Sequence, residues 1–211
     1  MGIDYDFWLM FIGVSIALNA APGPDVLYIV TKTISSGKKI GFASSLGVCT
    51  GAVFHIFLAS MGLSAILLTS AIAFTIVKYI GVFYLLYLAY QSFKSNGENF
   101  NIEKKHHKDT FYNAFKQGVL IDILNPKVAL FFMAFLPQFL REGYGSVPFQ
   151  FAYLGFVVIL FAIIIEGIYI LSADKISSKF RQNRRYSIYL NRVVGTVFLA
   201  LGIKLATSSN T

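Results

Sequence analysis

The chain has 211 residues, of which 56% are hydrophobic and only 13% charged, and its mean hydropathy is +0.65. A domain of this size exposed to water is about one quarter charged, because its surface must face water, so this composition excludes such a domain and makes lipid the solvent for much of the surface. The formal net charge is +8, and where those charges fall decides between membrane topology and nucleic-acid binding as their cause.

The chain opens with Met1-Gly2-Ile3-Asp4-Tyr5-Asp6. This stretch is acidic, unlike a signal-peptide start, so the first apolar run is expected to be kept as a span. That run covers residues 7–31 and is interrupted by Pro22-Gly23-Pro24-Asp25. The second covers about 41–68 and holds Cys49, the single cysteine, which reads as a small packing residue and rules out a disulfide framework. The third covers about 71–93. A polar stretch with His106-His107 follows, and then a fourth run at 118–140, interrupted at Asn125-Pro126-Lys127. The fifth covers about 147–172. A basic stretch precedes the sixth, at about 193–207, whose start can reach back to residue 188. A spanning helix takes roughly 20 apolar residues, so six use about 120 and leave only short loops. The expected fold is an all-α integral membrane protein with six transmembrane helices in a single domain, residues 1–211.

The basic residues sort by connection. Lys32, Lys38 and Lys39 follow the first run, and Lys94, Lys104, Lys105, Lys108 and Lys116 follow the third. Lys175, Lys179, Arg181, Arg184, Arg185 and Arg192 follow the fifth. The opposite side has little: Arg141 in one loop and Lys204 near the C-terminus. The positive-inside bias places the rich side in the cytoplasm and both termini outside. Topology thus explains the net charge, and short basic loops alternating with spans argue against nucleic acid as a partner.

The two halves resemble each other. Pro22, Gly41 and Gly51 match Pro126, Gly145 and Gly155, and Lys78-Tyr79-Ile80-Gly81 matches Arg192-Val193-Val194-Gly195. Three spans per half invert the second half relative to the first, an arrangement common in secondary transporters. The expected repeats cover about 5–93 and 110–207, joined by a cytoplasmic linker at about 94–116.

Pro22-Gly23-Pro24 and Asn125-Pro126-Lys127 cannot continue an ordinary helix, and the carbonyls they free need partners or water. Counted from Lys32 and Lys116, Pro22 and Pro126 both lie roughly 15 Å from the cytoplasmic edge. Paired broken helices near the midplane point to a transport site. Four ionisable residues fall at similar depth: Asp25, Asp122, Lys127 and Glu166. Intramembrane charges are costly and mark functional sites by default. A carboxylate there can carry protons or hold a substrate ammonium, and the lysine can hold a substrate carboxylate. The plainer reading is a structural ion pair, for example Lys127 with Asp122 or Glu166.

His55 reads first as a packing or hydrogen-bonding histidine, and otherwise as a proton relay. Gly47-Val48-Cys49-Thr50-Gly51 is a GxxxG pattern that marks close helix contact and offers a contact for a homodimer. Lys78 can snorkel to an interface. His106-His107 lacks further ligands at metal-binding spacing.

Several stretches together resemble one family. They are Asn19-Ala20-Ala21-Pro22-Gly23-Pro24, the segment from Gly118 through Asn125-Pro126-Lys127-Val128-Ala129-Leu130-Phe131-Phe132 to Leu136-Pro137-Gln138-Phe139, and Gly81-Val82-Phe83-Tyr84-Leu85-Leu86-Tyr87-Leu88. They resemble the lysine exporter family, including its homoserine/threonine-resistance branch, over nearly the whole chain. The resemblance implies export of amino acids or close derivatives from a bacterial cytoplasm across the inner membrane, driven by the proton motive force and without a cofactor. It carries the substrate site to Pro22, Gly23, Pro24, Asn125, Pro126 and Lys127. Asp122 stands where such sequences often have an amide. Depth alone adds Asp25 to the substrate site, and Asp25, Asp122 and Glu166 as proton-coupling candidates. The other readings are a cation or metal exporter, which would want clustered ligands, a membrane-embedded enzyme, whose motifs are missing, and a non-transporting scaffold.

Overall fold

The computed structural model describes residues 5–69, 71–94, 109–173 and 184–207. His106, His107, Lys104, Lys105, Lys108, Lys175, Lys179 and Arg181 lie outside the described residues, as does most of the predicted linker. Among the described residues the regular structure is helical throughout. The elements are α1 (Tyr5–Ala20), α2 (Pro24–Ser36), α3 (Lys38–Thr69), α4 (Ala71–Lys94), α5 (Phe111–Ile123), α6 (Pro126–Leu130), α7 (Val147–Leu171) and α8 (Arg184–Thr207). A π-helical stretch, Phe131–Phe135, and a 3₁₀ turn, Leu136–Phe139, extend α6.

By length and composition α3 and α7 can each cross a membrane alone. The pairs α1–α2 and α5–α6 pass only together, and they bend by 53° and 51° at their breaks. The sequence breaks are therefore real corners in the chain. The second begins before the expected run: α5 starts at Phe111, and Lys116 lies inside it, exposed, with its ammonium 5.4 Å from the Tyr112 ring centre one turn back. The edge of this span is nearer Thr110, whose hydroxyl caps the helix by accepting the Asn113 N–H at 3.2 Å. Asp122 is thus about 16 Å from the helix start rather than the shorter distance counted from Lys116.

Two turns set the helix neighbours. Gly37, with φ 90°, ends α2 and returns the chain into α3. Gly143 and Gly145, at φ 80° and 101°, shape the turn before α7. Gln150 locks that turn by accepting from the Arg141 N–H at 2.9 Å and donating to the Arg141 carbonyl at 2.8 Å.

Helix α3 is the central one. Of its spanning stretch, 61% is buried, against 33% for α7. That burial lets it carry Ser44, Ser45 and His55 inside, while α7 turns Phe156, Ile164 and Leu171 outward. On a membrane protein such apolar exposure faces lipid. The predicted GxxxG contact is made within the chain. A Cβ at Gly51 would lie 2.6 Å from the Asp122 Cβ, and one at Gly118 would strike the Ser44 carbonyl. These glycines bring α3 and α5 into backbone contact, so the motif is not free to hold a second copy. A cluster of buried phenylalanines, Phe11, Phe131, Phe132, Phe135, Phe139 and Phe151, fixes α1 against the irregular end of the second bent pair.

Candidate functional site

Each proline at a break strands the carbonyl four residues earlier, because it has no N–H to donate. Pro22 strands that of Leu18, Pro24 that of Ala20 and Pro126 that of Asp122. In lipid a bare carbonyl costs several kcal/mol. All three are taken by side chains from the other half of the chain. The Lys127 ammonium donates to the Leu18 carbonyl at 3.2 Å and to that of Ala21 at 3.3 Å. The Tyr169 hydroxyl donates to the Ala20 carbonyl at 2.9 Å. His55 Nε2 lies 3.0 Å from the Asp122 carbonyl. A carbonyl only accepts, so this nitrogen carries the hydrogen. The Asn125 backbone N–H shares the same acceptor at 2.9 Å.

The two breaks have matching local geometry. Gly23 caps α2 and Asn125 caps α6, each with extended backbone, and each is followed by a proline. Asn125 Oδ1 accepts the Lys127 N–H at 3.1 Å. The residues after the prolines, Asp25 and Lys127, form an ion pair, with Nζ 3.1 Å from Oδ2 and 3.2 Å from Oδ1. The structural partner of Pro126 is therefore Pro24; the sequence match paired Pro126 with Pro22. Likewise Gly145 lies in a turn, while its match Gly41 is inside α3. A Cβ at Gly23 would lie 2.6 Å from Asp25 Oδ1 and 2.9 Å from Lys127 Nζ, so a larger residue there would displace the ion pair.

Asp25, Asp122, Lys127 and Glu166 all line one small cavity of about 20 Å³. By volume it holds about one water. Asp25, Asp122 and Glu166 are 5%, 1% and 2% exposed. One lysine thus faces three carboxyl groups. Buried charge without compensation is costly, so the surplus of carboxyl groups is a local imbalance that calls for compensation. Ser45 donates to Glu166 Oε2 at 2.6 Å, and the Cys49 thiol lies 3.7 Å from the same oxygen. Asp122 Oδ2, Asn125 Nδ2 and His55 Nδ1 are buried with no hydrogen-bond partner. Such groups call for an additional ligand or water.

The structure brings together Gly23, Asp25, Asn125 and Lys127 at the two breaks, with Asp122 and Glu166 on the same cavity wall. Pro22 is half-buried and borders a different cavity, while Pro24 is exposed and acts on the backbone only. The ion pair differs from the expected one, since Lys127 pairs with Asp25. His55 is a hydrogen-bonding histidine, holding a carbonyl. Cys49 does more than pack, because it lies on Glu166. Tyr169 and Ser45 were not singled out from the sequence. Tyr169 lies three residues after Glu166, a same-face spacing, but a tyrosine in an apolar run carries no signal of its own.

A helical chain with two broken spans closing around buried charge has the architecture of a membrane transporter. Comparison with known proteins agrees. The profile of the LysE type translocator family matches residues 16–209, and the chain belongs to that family. It is 30% identical to the uncharacterized membrane protein YrhP of Bacillus subtilis strain 168, over 95% of this chain and 98% of the relative. It is 26% identical to an uncharacterized membrane protein of Pseudomonas aeruginosa, over 97% of this chain and 96% of the relative. It is 27% identical to one of Vibrio cholerae, over 98% and 99%. No solved structure matches the chain.

Proposed function

We propose that this protein is a secondary transporter, not an enzyme, that exports amino acids or close derivatives, with neutral homoserine- or threonine-like compounds favoured, across the bacterial inner membrane in exchange for protons. The observation that carries the reading is the Lys127–Asp25 pair, held between the two breaks in a chamber with two further carboxyl groups. An amino acid offers a carboxylate for Lys127 and an ammonium for the acidic wall. Asp122 and Glu166 are the candidates for carrying the coupled proton.

The chamber, at about 20 Å³, must widen to take an amino acid. Transport requires the bent pairs to separate on one side at a time. The matching bends of 53° and 51°, with the same cap–proline–charge order at each break, support two inverted halves of three spans. A homodimer would have to use a surface other than the Gly47–Gly51 face.

The test is exchange of labelled amino acids in proteoliposomes. Wild type is expected to exchange at least one neutral amino acid. Lys127→Ala and Asp122→Asn are expected to slow that exchange at least about tenfold, the equivalent of one lost 1.4 kcal/mol contact. Wild-type rates in both variants would defeat the site. Exchange of divalent cations in place of any amino acid would move the assignment to a cation exporter.

A further inference from the structure

His55 holds the Asp122 carbonyl through Nε2 at 3.0 Å, and that bond keeps the ring hydrogen on Nε2. Nδ1 is therefore a bare acceptor. It is buried with no hydrogen-bond partner, on a side chain that is 3% exposed and flanked by the rings of Phe54 and Phe132. Holding a carbonyl takes one donor. A second nitrogen left bare in apolar surroundings is a cost that the carbonyl does not explain. Two more buried atoms lack partners beside the same carbonyl, Asp122 Oδ2 and Asn125 Nδ2, and the Asn125 backbone N–H is bonded to it as well. Of the three bare atoms, His55 Nδ1 and an ionised Asp122 Oδ2 accept, and only Asn125 Nδ2 donates. An added proton turns either acceptor into a donor, so this cluster gains by taking one up.

We propose that His55 delivers the coupled proton to Asp122, taking it up on Nδ1 from the far side of the membrane. The proposal rests on the export reading and names the residue that supplies its proton. The position of His55 fits that direction. Helix α3 begins at Lys38, on the side that is cytoplasmic by the positive-inside bias. Gly51 of α3 adjoins the Asp122 side chain, and His55 lies one turn further along, about 6 Å toward the other end. It stands on the outer side of Asp122, where a proton that drives export enters. The ionisable groups that the neighbouring elements bring to the chamber are Asp25 of α2, Asp122 of α5, Lys127 of α6 and Glu166 of α7. Lys127 holds Asp25, and Glu166 accepts from Ser45, which leaves Asp122 as the acceptor without a partner. In the first step an N–H bond forms at Nδ1 and the ring becomes a cation. In the second that bond breaks, its electron pair stays on nitrogen, and an O–H bond forms at Asp122 Oδ2, directly or across one water. The ring returns to its neutral form with Nε2–H still on the carbonyl, and Asp122 is discharged.

The experiment uses the full chain in proteoliposomes with labelled L-homoserine and measures transport in two ways. Exchange at equal pH returns the carrier loaded with homoserine. Accumulation driven by a pH difference needs the proton-loaded return. His55→Gln keeps an N–H for the carbonyl but has no basic nitrogen. It is expected to exchange within about twofold of wild type and to accumulate at least about tenfold less, a small part of what a positioned proton carrier contributes. A role confined to the carbonyl predicts wild-type accumulation, and that result overturns the proposal, as does equal loss of exchange and accumulation. A second readout keeps His55 in place. With His106→Gln and His107→Gln the chain has one histidine. Its ¹⁵N spectrum in detergent is expected to show hydrogen on Nε2 alone at high pH and on both nitrogens as the pH falls. An Nδ1 that stays bare until the protein unfolds, or a neutral ring with its hydrogen on Nδ1, overturns the delivery while leaving export intact. A wild-type protein that moves no amino acid, or ignores the pH difference, overturns proton-coupled export itself, and the role of His55 with it.

Discussion

Lys127 does two jobs at once. It neutralises Asp25 and it satisfies two carbonyls of the first break. Removing it strips partners from three buried acceptors, and breaking a buried ion pair from one side costs about 3–5 kcal/mol. Lys127→Met is therefore expected to lower the melting temperature in detergent sharply, and Asp25→Leu to do so by a similar amount. The double variant is expected to recover only the part of the loss due to the unpaired Asp25 or Lys127 charge, since the Leu18 and Ala21 carbonyls still lack their donor. It is not expected to recover transport. Additive losses in the double-mutant cycle would mean that the two side chains are not coupled. Tyr169 gives a smaller, cleaner case. Tyr169→Phe keeps the ring and removes only the donor to Ala20. Hydrogen bonds inside membrane proteins average below about 1 kcal/mol, so a fall of a few degrees in melting temperature is expected, and no fall would mean water takes over the carbonyl. Which carbonyls need help was legible beforehand, because each lies four residues before a proline. Which side chains supply it was not. The donors lie 109, 149 and 67 residues away, and only the packing of distant spans brings them in.

At the scale of the helices, hydropathy marked a helix in each run and the prolines placed both breaks, but α5 and α8 begin at Phe111 and Arg184, before the expected fourth and sixth runs, because their first turns carry polar residues. Local signals also set the caps: Gly37 at a positive φ, Thr110 and Asn125 by side-chain acceptance. What stayed hidden is the exact conformation after the second break: Pro137 announces that the helix cannot continue, but not that Phe131–Phe135 is π-helical and Leu136–Phe139 a 3₁₀ turn packed by its phenylalanines against α1. The glycines separate in the same way. Gly13 and Gly118 both sit in helices, but a Cβ at Gly13 meets nothing within 4 Å while one at Gly118 meets backbone of α3. Gly13→Ala is expected to be neutral or to stabilise by up to about 1 kcal/mol, the helix-propensity difference. Gly118→Ala must push α3 and α5 apart against both backbones, and is expected to lose the monodisperse folded peak on size exclusion. Equal behaviour of the two variants would show that the α3–α5 contact does not hold the fold.

For the whole molecule the open question is how α4 and α8 lie, since α3, α7 and the two bent pairs give four spans at most. Both helices have 24 residues, about 36 Å at 1.5 Å per residue, enough for a hydrocarbon core of about 30 Å. The Lys32–Asp109 ion pair, at 2.7 Å, joins the end of the first bent pair to the start of the second. Those two residues therefore share one side of the membrane. On the proposed six-span topology α3 crosses once between them and α4 crosses back. Helix α8 then runs antiparallel to α4, with Gly195 against Ala89 and Ser92, and Gly202 against Leu85 and Leu86. It begins on the side where α4 ends and leaves on the other. On the proposed topology this makes six spans, with Lys38 and the Lys32–Asp109 pair on one side and the turn at Glu142 on the other. If α4 lay flat on the surface, the second bent pair would enter from the opposite face and Glu142 would be cytoplasmic. Glu142→Cys is exposed in the structure and is expected to react with an impermeant maleimide in intact cells, whereas Lys38→Cys is expected to react only after permeabilisation. The reverse pattern, or equal labelling of both sites in intact cells, would remove the six-span topology, and with it the inverted relation of the two halves on which alternating access depends.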